Sequence, residues 1–273
     1  MGTSGSRAIV VKGPLGATGA RWREYRRNPR PCTFPVHRDD GGVIFDDANG
    51  PKPQLVHDDA HLLAVNKPAG WLSQATPDEA RTIGTWVAEE HGGLADLPHR
   101  LDRPVSGILL AAKTKQTQRW LGKQFSQSKV RKWYLAVVRT GHPPKSISIR
   151  EPIIQVRQGK MATDPRGKPA LTDVVPVDFD AEAELALVAV SLRTGRTHQA
   201  RVHLAAAVGA IVGDRKYGDF ADHRRIGLHA CRVELPGSGK VPERTIVCRP
   251  GPDFFALCGD SPLKDWAGEL RFS

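Results

Sequence analysis

No Asp or Glu occurs from Arg103 to Arg150, a stretch that holds eleven Lys and Arg. Solvated surfaces normally interleave both signs, so this absence argues for a face that binds a polyanion over a merely soluble one. Cysteine is scarce as well. Cys32, Cys231, Cys248 and Cys258 form no C-x-x-C pair, and none stands at metal-ligand spacing from a histidine, which argues against a structural zinc site. Free thiols in a reducing compartment are the expectation. Long apolar runs are missing: none approaches the length that spans a bilayer, and no signal-peptide core follows the start. The first thirty residues are Arg-rich and poor in acid, as in an organellar transit peptide, but their Gly and Pro oppose an amphipathic helix. A cytoplasmic protein is therefore expected, with the organellar matrix as the alternative. No internal repeat is evident.

Positive charge dominates what is present. The 273 residues carry 40 Lys and Arg against 29 Asp and Glu, a net +11, with a pI near 9.8. Clustered cations gain affinity by releasing counterions from a phosphate backbone, so nucleic acid is the first candidate partner and an anionic membrane the second. From Met1 to Arg38, eight cations stand against Glu24 alone, a net +7. Residues 1–53 mix Gly, Pro, Arg and Asp without periodicity and read as a basic, partly irregular N-terminal extension. Residues 54–273 read as one catalytic-sized domain, long enough to bury a sizeable core.

Within that domain, Leu62–Val65 predicts a short apolar strand entering the turn Asn66-Lys67-Pro68-Ala69-Gly70. Helical spacing of Ile83, Trp86 and Val87 predicts a helix over 82–90, stopped by His91-Gly92-Gly93. A buried strand is expected at 108–112 and a helix at 115–128, with Trp120, Leu121 and Phe125 on its apolar face. Residues 133–138 alternate, which sets Tyr134 on the face opposite Trp133, and 185–192 form a second alternating strand. After Arg193-Thr194-Gly195 a helix is expected from about Arg196 to Ala207, closed by Val208-Gly209. Strands and isolated helices alternate irregularly, so the fold class is α+β, a mixed, largely antiparallel central sheet with flanking helices.

Two constellations can carry chemistry. In His99-Arg100-Leu101-Asp102-Arg103-Pro104-Val105-Ser106-Gly107 a carboxylate stands between two arginines. If this segment is extended, Arg100 and Asp102 share one face while Leu101 anchors in the core. An Asp before a turn more often caps that turn or pairs with its neighbour, and it is the second constellation that shifts the weight. In Arg193-Thr194-Gly195-Arg196-Thr197-His198-Gln199-Ala200-Arg201-Val202-His203-Leu204, helical spacing brings His198 and Arg201 together. The first turn of such a helix offers free N–H groups to a phosphate.

These two blocks, together with Lys132-Trp133-Tyr134-Leu135-Ala136-Val137-Val138, resemble the three signature blocks of the RluA-type pseudouridine synthases. Asn66-Lys67-Pro68-Ala69-Gly70, Gly213-Asp214-Arg215-Lys216-Tyr217-Gly218 and Leu228-His229-Ala230 resemble the family's flanking elements, in the family's order. Several long motifs in order are far more specific than one. Two departures stand out: Val105 replaces the usual Thr, and Ala200 a branched apolar residue.

The resemblance implies an isomerase that converts uridine to pseudouridine within RNA, with neither metal nor organic cofactor. It implies Asp102 as the reactive carboxylate, acting as nucleophile or base, and Arg201 as the cation that pairs with it. Tyr134 corresponds to the residue that stacks on the target uracil and is a candidate for removing the C5 proton. The nucleotide is expected to be flipped out, with Arg100 occupying its vacated place. Lys132, Arg196 and His198 complete the expected RNA-binding set. The implied partner is rRNA or tRNA, with no membrane and no obligatory protein partner, and the chain is expected to be a monomer. A noncatalytic RNA-binding factor and a base-releasing glycosylase are the competing classes; Asp102, Tyr134 and Arg201 together argue against the former, and product analysis separates the latter.

Overall fold

The computed structural model describes residues 51–76, 82–157, 159–219, 223, 225–238 and 241–266. The basic N-terminal extension lies outside them up to residue 50. The elements run β1 (Gln54–Asp58), β2 (Leu62–Lys67), α1 (Ile83–His91), β3 (Ser106–Ala112), α2 (Lys115–Ser126), β4 (Arg131–Arg139) and β5 (Ile147–Ile149). They continue through β6 (Ile153–Arg157), β7 (Lys160–Thr163), β8 (Thr172–Asp180), β9 (Leu185–Leu192), α3 (Gln199–Ala207), β10 (Ala210–Ile211), β11 (Leu228–Leu235) and β12 (Arg244–Val247).

The main sheet has the order β1-β2-β3-β11-β4-β9-β8-β5, with β10 on β4 and β12 on β11; β6 and β7 form a separate hairpin. Within it only β3 and β11 run parallel. This is the mixed, largely antiparallel α+β sheet expected from the sequence. Its central strands are apolar on both faces, as strands covered from both sides must be. One face gathers Leu63, Val65, Leu109, Tyr134, Ala136 and Val188 beneath α1 and α3, whose Val87 and Leu204 close the layer. The other gathers Leu62, Ala64, Ile108 and Leu110 beneath Leu121 of α2, with Trp120 and Phe125 packed alongside.

Local chemistry explains the helix ends. Thr82 caps α1 in a reciprocal box with Thr85, and Gly92 ends it in the left-handed conformation at φ 64°. Thr114 caps α2 by accepting the Thr117 N–H. The helix α3 begins at Gln199, three residues after the expected start, because His198 takes φ 54°, ψ 20° and cannot extend a right-handed helix.

Glycine is required where β3 meets β11. Gly107 lies at φ 111°, and a Cβ there would stand 2.3 Å from the Ala230 carbonyl oxygen. Beside it, Ser106 Oγ lies 2.8 Å from His229 Nδ1 and accepts from Arg225 Nη2 at 2.5 Å. His229 Nε2 faces the Cys248 carbonyl at 3.1 Å, so its proton sits there and Nδ1 accepts from Ser106. Burial, reinforced by Arg225, pushes the His229 pKa down to about 3 and keeps it neutral. These bonds fasten the start of β3 to β11 and to the chain after β12.

Candidate active site

Residues 99–103 form no strand, yet they alternate as one. The odd-numbered residues are tied to the protein. Leu110 N–H donates to His99 Nε2 at 2.9 Å, and the His99 ring stacks on Phe125 with centroids 4.5 Å apart. Ser73 Oγ donates to the Leu101 carbonyl at 2.8 Å and accepts the Leu101 N–H at 3.0 Å. Arg103 Nε donates to the Gly70 carbonyl at 2.9 Å, and Gly70 N–H to the Arg103 carbonyl at 2.8 Å. The even-numbered Arg100 and Asp102 are thereby left lining one cleft, of about 600 Å³.

Lys67 is the buried peg beneath this loop. Its side chain is fully enclosed, and its three N–H bonds go to the carbonyls of Pro68, Trp71 and Arg103 at 3.0, 2.7 and 3.1 Å. An ammonium has three donors and here all three are used. Burial pushes its pKa down to about 7, opposed by the attraction of Asp102. The Val105 N–H closes the turn onto the Asp102 carbonyl at 3.0 Å, and the Val105 side chain lies in the core. The hydroxyl missing at this position is therefore not needed to hold the turn.

Arg201, on the first turn of α3, points back at the loop. Its Nη1 donates to Asp102 Oδ2 at 2.9 Å. Its Nε and Nη2 donate in parallel to Asp214 at 2.7 and 2.8 Å, with Asp214 only 1% exposed. Burial by itself would lower the guanidinium pKa; Asp214 and Asp102 outweigh it and hold the charge. His198 joins them: its Nε2 lies 3.7 Å from Asp102 Oδ2, and its Nδ1 2.7 Å from Tyr217 Oη. A left-handed non-glycine residue costs roughly 1–2 kcal/mol, and such strain collects at functional sites.

The turn ahead of α3 is pinned by Gln199. Its Oε1 accepts from Thr194 Oγ1 at 2.7 Å and from the Arg196 N–H at 3.0 Å, while its amide donates to the Leu171 carbonyl and Thr172 Oγ1. Thr172 then donates to His203 Nδ1, whose Nε2 donates to the Glu151 carbonyl. His203 is thus a fully satisfied core residue. Arg196 is exposed, its Nε on the Pro169 carbonyl at 2.9 Å.

Tyr134, on β4 between Val190 and Ala230 of the neighbouring strands, lines the same cleft and is 7% exposed. Burial first, then Asp102 and Cys231, raise its pKa, so the phenol keeps its proton. Lys132, two residues earlier, sits over the Phe125 ring at 5.8 Å and beside the Gly195 backbone. Desolvation pushes its pKa down to about 8.

All seven residues singled out in the sequence, Arg100, Asp102, Lys132, Tyr134, Arg196, His198 and Arg201, line this cleft. Asp102 is the one carboxylate among its lining residues, against five Lys and Arg. Sequence reasoning gave no role to Asp214, Tyr217 or Lys67. The first two stood in a flanking block with no visible partner, and a lysine is the residue least expected to be wholly buried. Three cysteines, Cys231, Cys248 and Cys258, are free and buried; Cys32 lies outside the described residues. Among the described residues no His, Cys, Asp and Glu group could hold a metal ion, and no helix is long and apolar enough to cross a membrane.

A carboxylate held by a buried arginine on the floor of a cationic cleft suits an enzyme that acts on an anionic polymer. The model of the RNA pseudouridylate synthase family matches residues 61–206. The tRNA pseudouridine synthase C of Salmonella typhimurium (strain LT2) is 36% identical over 207 residues, 67% of this chain and 79% of its own length. The dual-specificity RNA pseudouridine synthase RluA of the same organism is 37% identical over 185 residues, 64% of this chain and 83% of its own. Among solved structures, Human RNA Pseudouridylate Synthase Domain Containing 1 superposes with a TM-score of 0.63 at 28% identity, covering 76% of this chain and 87% of that one. The chain belongs to the RluA-type pseudouridine synthases, isomerases that act on RNA.

Proposed function

We propose that this protein isomerises uridine to pseudouridine in tRNA or rRNA, with Asp102 acting on a nucleotide flipped into the cleft. One observation carries the reading: Asp102 is the one carboxylate lining a cationic cleft, and Arg201 and His198 approach it through Oδ2 only. Oδ1 accepts no hydrogen bond from any described residue. The names of the relatives, which act on tRNA or have dual specificity, support the substrate class.

In the reaction the bond from uracil N1 to ribose C1′ breaks, the base turns, and C5 bonds to C1′. N1 gains a proton and C5 loses one, so atoms and charge balance without oxidant or reductant. Asp102 is the nucleophile or base toward the nucleotide, and Arg201 fixes its Oδ2 at 2.9 Å. Tyr134 presents its ring to the uracil, and its buried phenol keeps its proton in the resting site. Arg100, exposed at the mouth of the cleft, is placed to stack where the nucleotide left. Extrusion costs on the order of a few kcal/mol. Lys132, Arg196 and the basic extension hold the phosphate backbone, which gives affinity more than sequence choice.

The experiment compares pseudouridine maps of tRNA and rRNA from cells with and without the protein, then treats in vitro transcripts with wild type and Asp102→Asn. The expected result is sites that vanish with the protein, turnover abolished in Asp102→Asn, and RNA binding retained. Substantial turnover in that variant, or release of free uracil by the wild type, would overturn the reading.

A further inference from the structure

We propose that Tyr217 is a positioning residue of this site: its hydroxyl holds His198 as the Nε2–H tautomer facing Asp102 Oδ2, leaving Oδ1 to meet the nucleotide. The last clause rests on the functional reading above; the tautomer rests on geometry alone.

Tyr217 Oη accepts the Met161 N–H at 3.0 Å and lies 2.7 Å from His198 Nδ1. A phenol oxygen has one proton to give. Given to Nδ1, it satisfies both groups and puts the imidazole proton on Nε2, whose N–H dipole then faces the carboxylate 3.7 Å away. The opposite arrangement, with Nδ1–H donating to Tyr217, strands the phenol proton and turns the Nε2 lone pair toward Asp102. The first is electrostatically favoured on both counts.

The surroundings keep both groups neutral. Desolvation lowers the His198 pKa; Asp102 and Asp214 pull it up, while Arg201 and Lys216 push it down. Burial raises the Tyr217 pKa. His198 takes the left-handed conformation just ahead of α3, and its ring lies between Asp102 and Tyr217. Tyr217 is itself fixed. Its ring lies 5.1 Å from the Arg201 guanidinium carbon and packs on the side-chain cluster of Ile153, Ala170 and Val202. One residue thereby braces both the Arg201 cation and the neutral imidazole that converge on Oδ2.

The test has two arms. In protein labelled with 15N histidine, long-range proton–nitrogen correlation reads which ring nitrogen of His198 carries the proton; His198→Gln assigns the resonance by its loss. The expected result is protonated Nε2 and bare Nδ1 in the wild type, and a balance moved toward Nδ1–H in Tyr217→Phe, whose ring still covers Arg201. This arm needs no RNA and is independent of the functional reading. In the second arm, tritium release from in vitro transcribed tRNA tritiated at uridine C5 reads turnover. In Tyr217→Phe kcat falls about tenfold, the worth of one neutral hydrogen bond, while KM holds within about twofold. A wild-type proton on Nδ1, or a Tyr217→Phe protein with tautomer or kcat unchanged, overturns the proposal. If Tyr217→Phe fails to fold, the wild-type tautomer decides it. Absence of wild-type turnover would fall on the functional reading, with the tautomer still deciding this one.

Discussion

Arg201 and Asp214 form a two-point clamp, Nε and Nη2 on the two carboxylate oxygens, that leaves Nη1 as the single arm reaching Asp102. Because the clamp fixes the guanidinium plane, it also fixes where that arm points. Asp214 is thirteen residues from Arg201 in sequence, in the turn where its own carbonyl accepts the N–H groups of Tyr217, Gly218 and Asp219. The pair is therefore both a buried charge balance and an aiming device.

Asp214→Asn tests the clamp. It keeps the shape and removes the charge opposite a guanidinium whose side chain is 6% exposed. Breaking one side of such a pair costs about 3–5 kcal/mol, which urea unfolding will read as a lowered midpoint. Turnover should fall on the order of 10²-fold through misplacement of Arg201, with RNA affinity less affected.

Tyr134→Phe separates the ring from its hydroxyl. The hydroxyl makes no hydrogen bond to a described residue, so stability should change by less than about 1 kcal/mol. RNA binding should persist because the stacking face remains. Turnover should fall on the order of 10²-fold if the phenol handles a proton in the reaction; single-turnover rates on transcript RNA check this.

Gly107→Ala is expected to destabilise the protein while leaving every side chain of the site in sequence. The new methyl meets the Ala230 carbonyl at 2.3 Å, and φ 111° is foreign to any L side chain. Strain of this kind costs about 1–3 kcal/mol, and overpacking adds a similar amount. A denaturant titration should show a loss of at least about 2 kcal/mol with an unchanged slope.

Much of the frame was legible because local patterning and packing agree. The strand read at 185–192 is β9, and the alternation that separated Tyr134 from Trp133 is the alternation of β4. Arg100 and Asp102 do share a direction, though through anchored neighbours and not through a strand ladder. The start of α3 was misplaced because Thr197-His198-Gln199 contains no glycine, and nothing in its spacing reveals a left-handed residue. The hairpin of β6 and β7 was not foreseen, since its sequence alternates weakly and, apart from the buried Ile153, its strands are exposed or half-buried. Asp214 and Tyr217, which bind Arg201 and His198, escaped for a different reason: ion pairs and hydrogen bonds across thirteen or nineteen residues leave no periodic trace.

Lys132 gives a pH dependence with a definite sign. Its ammonium stands among Phe125, the neutral His99 and the Gly195 backbone, with no carboxylate in ion-pair range among the described residues. Its pKa, near 10.5 for a free lysine, is pushed down to about 8 by desolvation. A lysine lowered in the free protein and raised again by a phosphate binds RNA more tightly when protonated. Affinity is therefore full below about pH 7 and declines as pH rises through about 8, by at most about tenfold per unit for one linked proton. Lys67 titrates nearby, at about 7, but it is sealed beneath three carbonyls and is unchanged by substitution at 132. Comparing wild type with Lys132→Arg isolates the effect, because a guanidinium stays charged throughout. Filter binding from pH 6.5 to 9.5 at constant salt should show a decline in the wild type that is flattened in Lys132→Arg. Equal pH slopes in the two proteins would remove Lys132 from the phosphate-binding set.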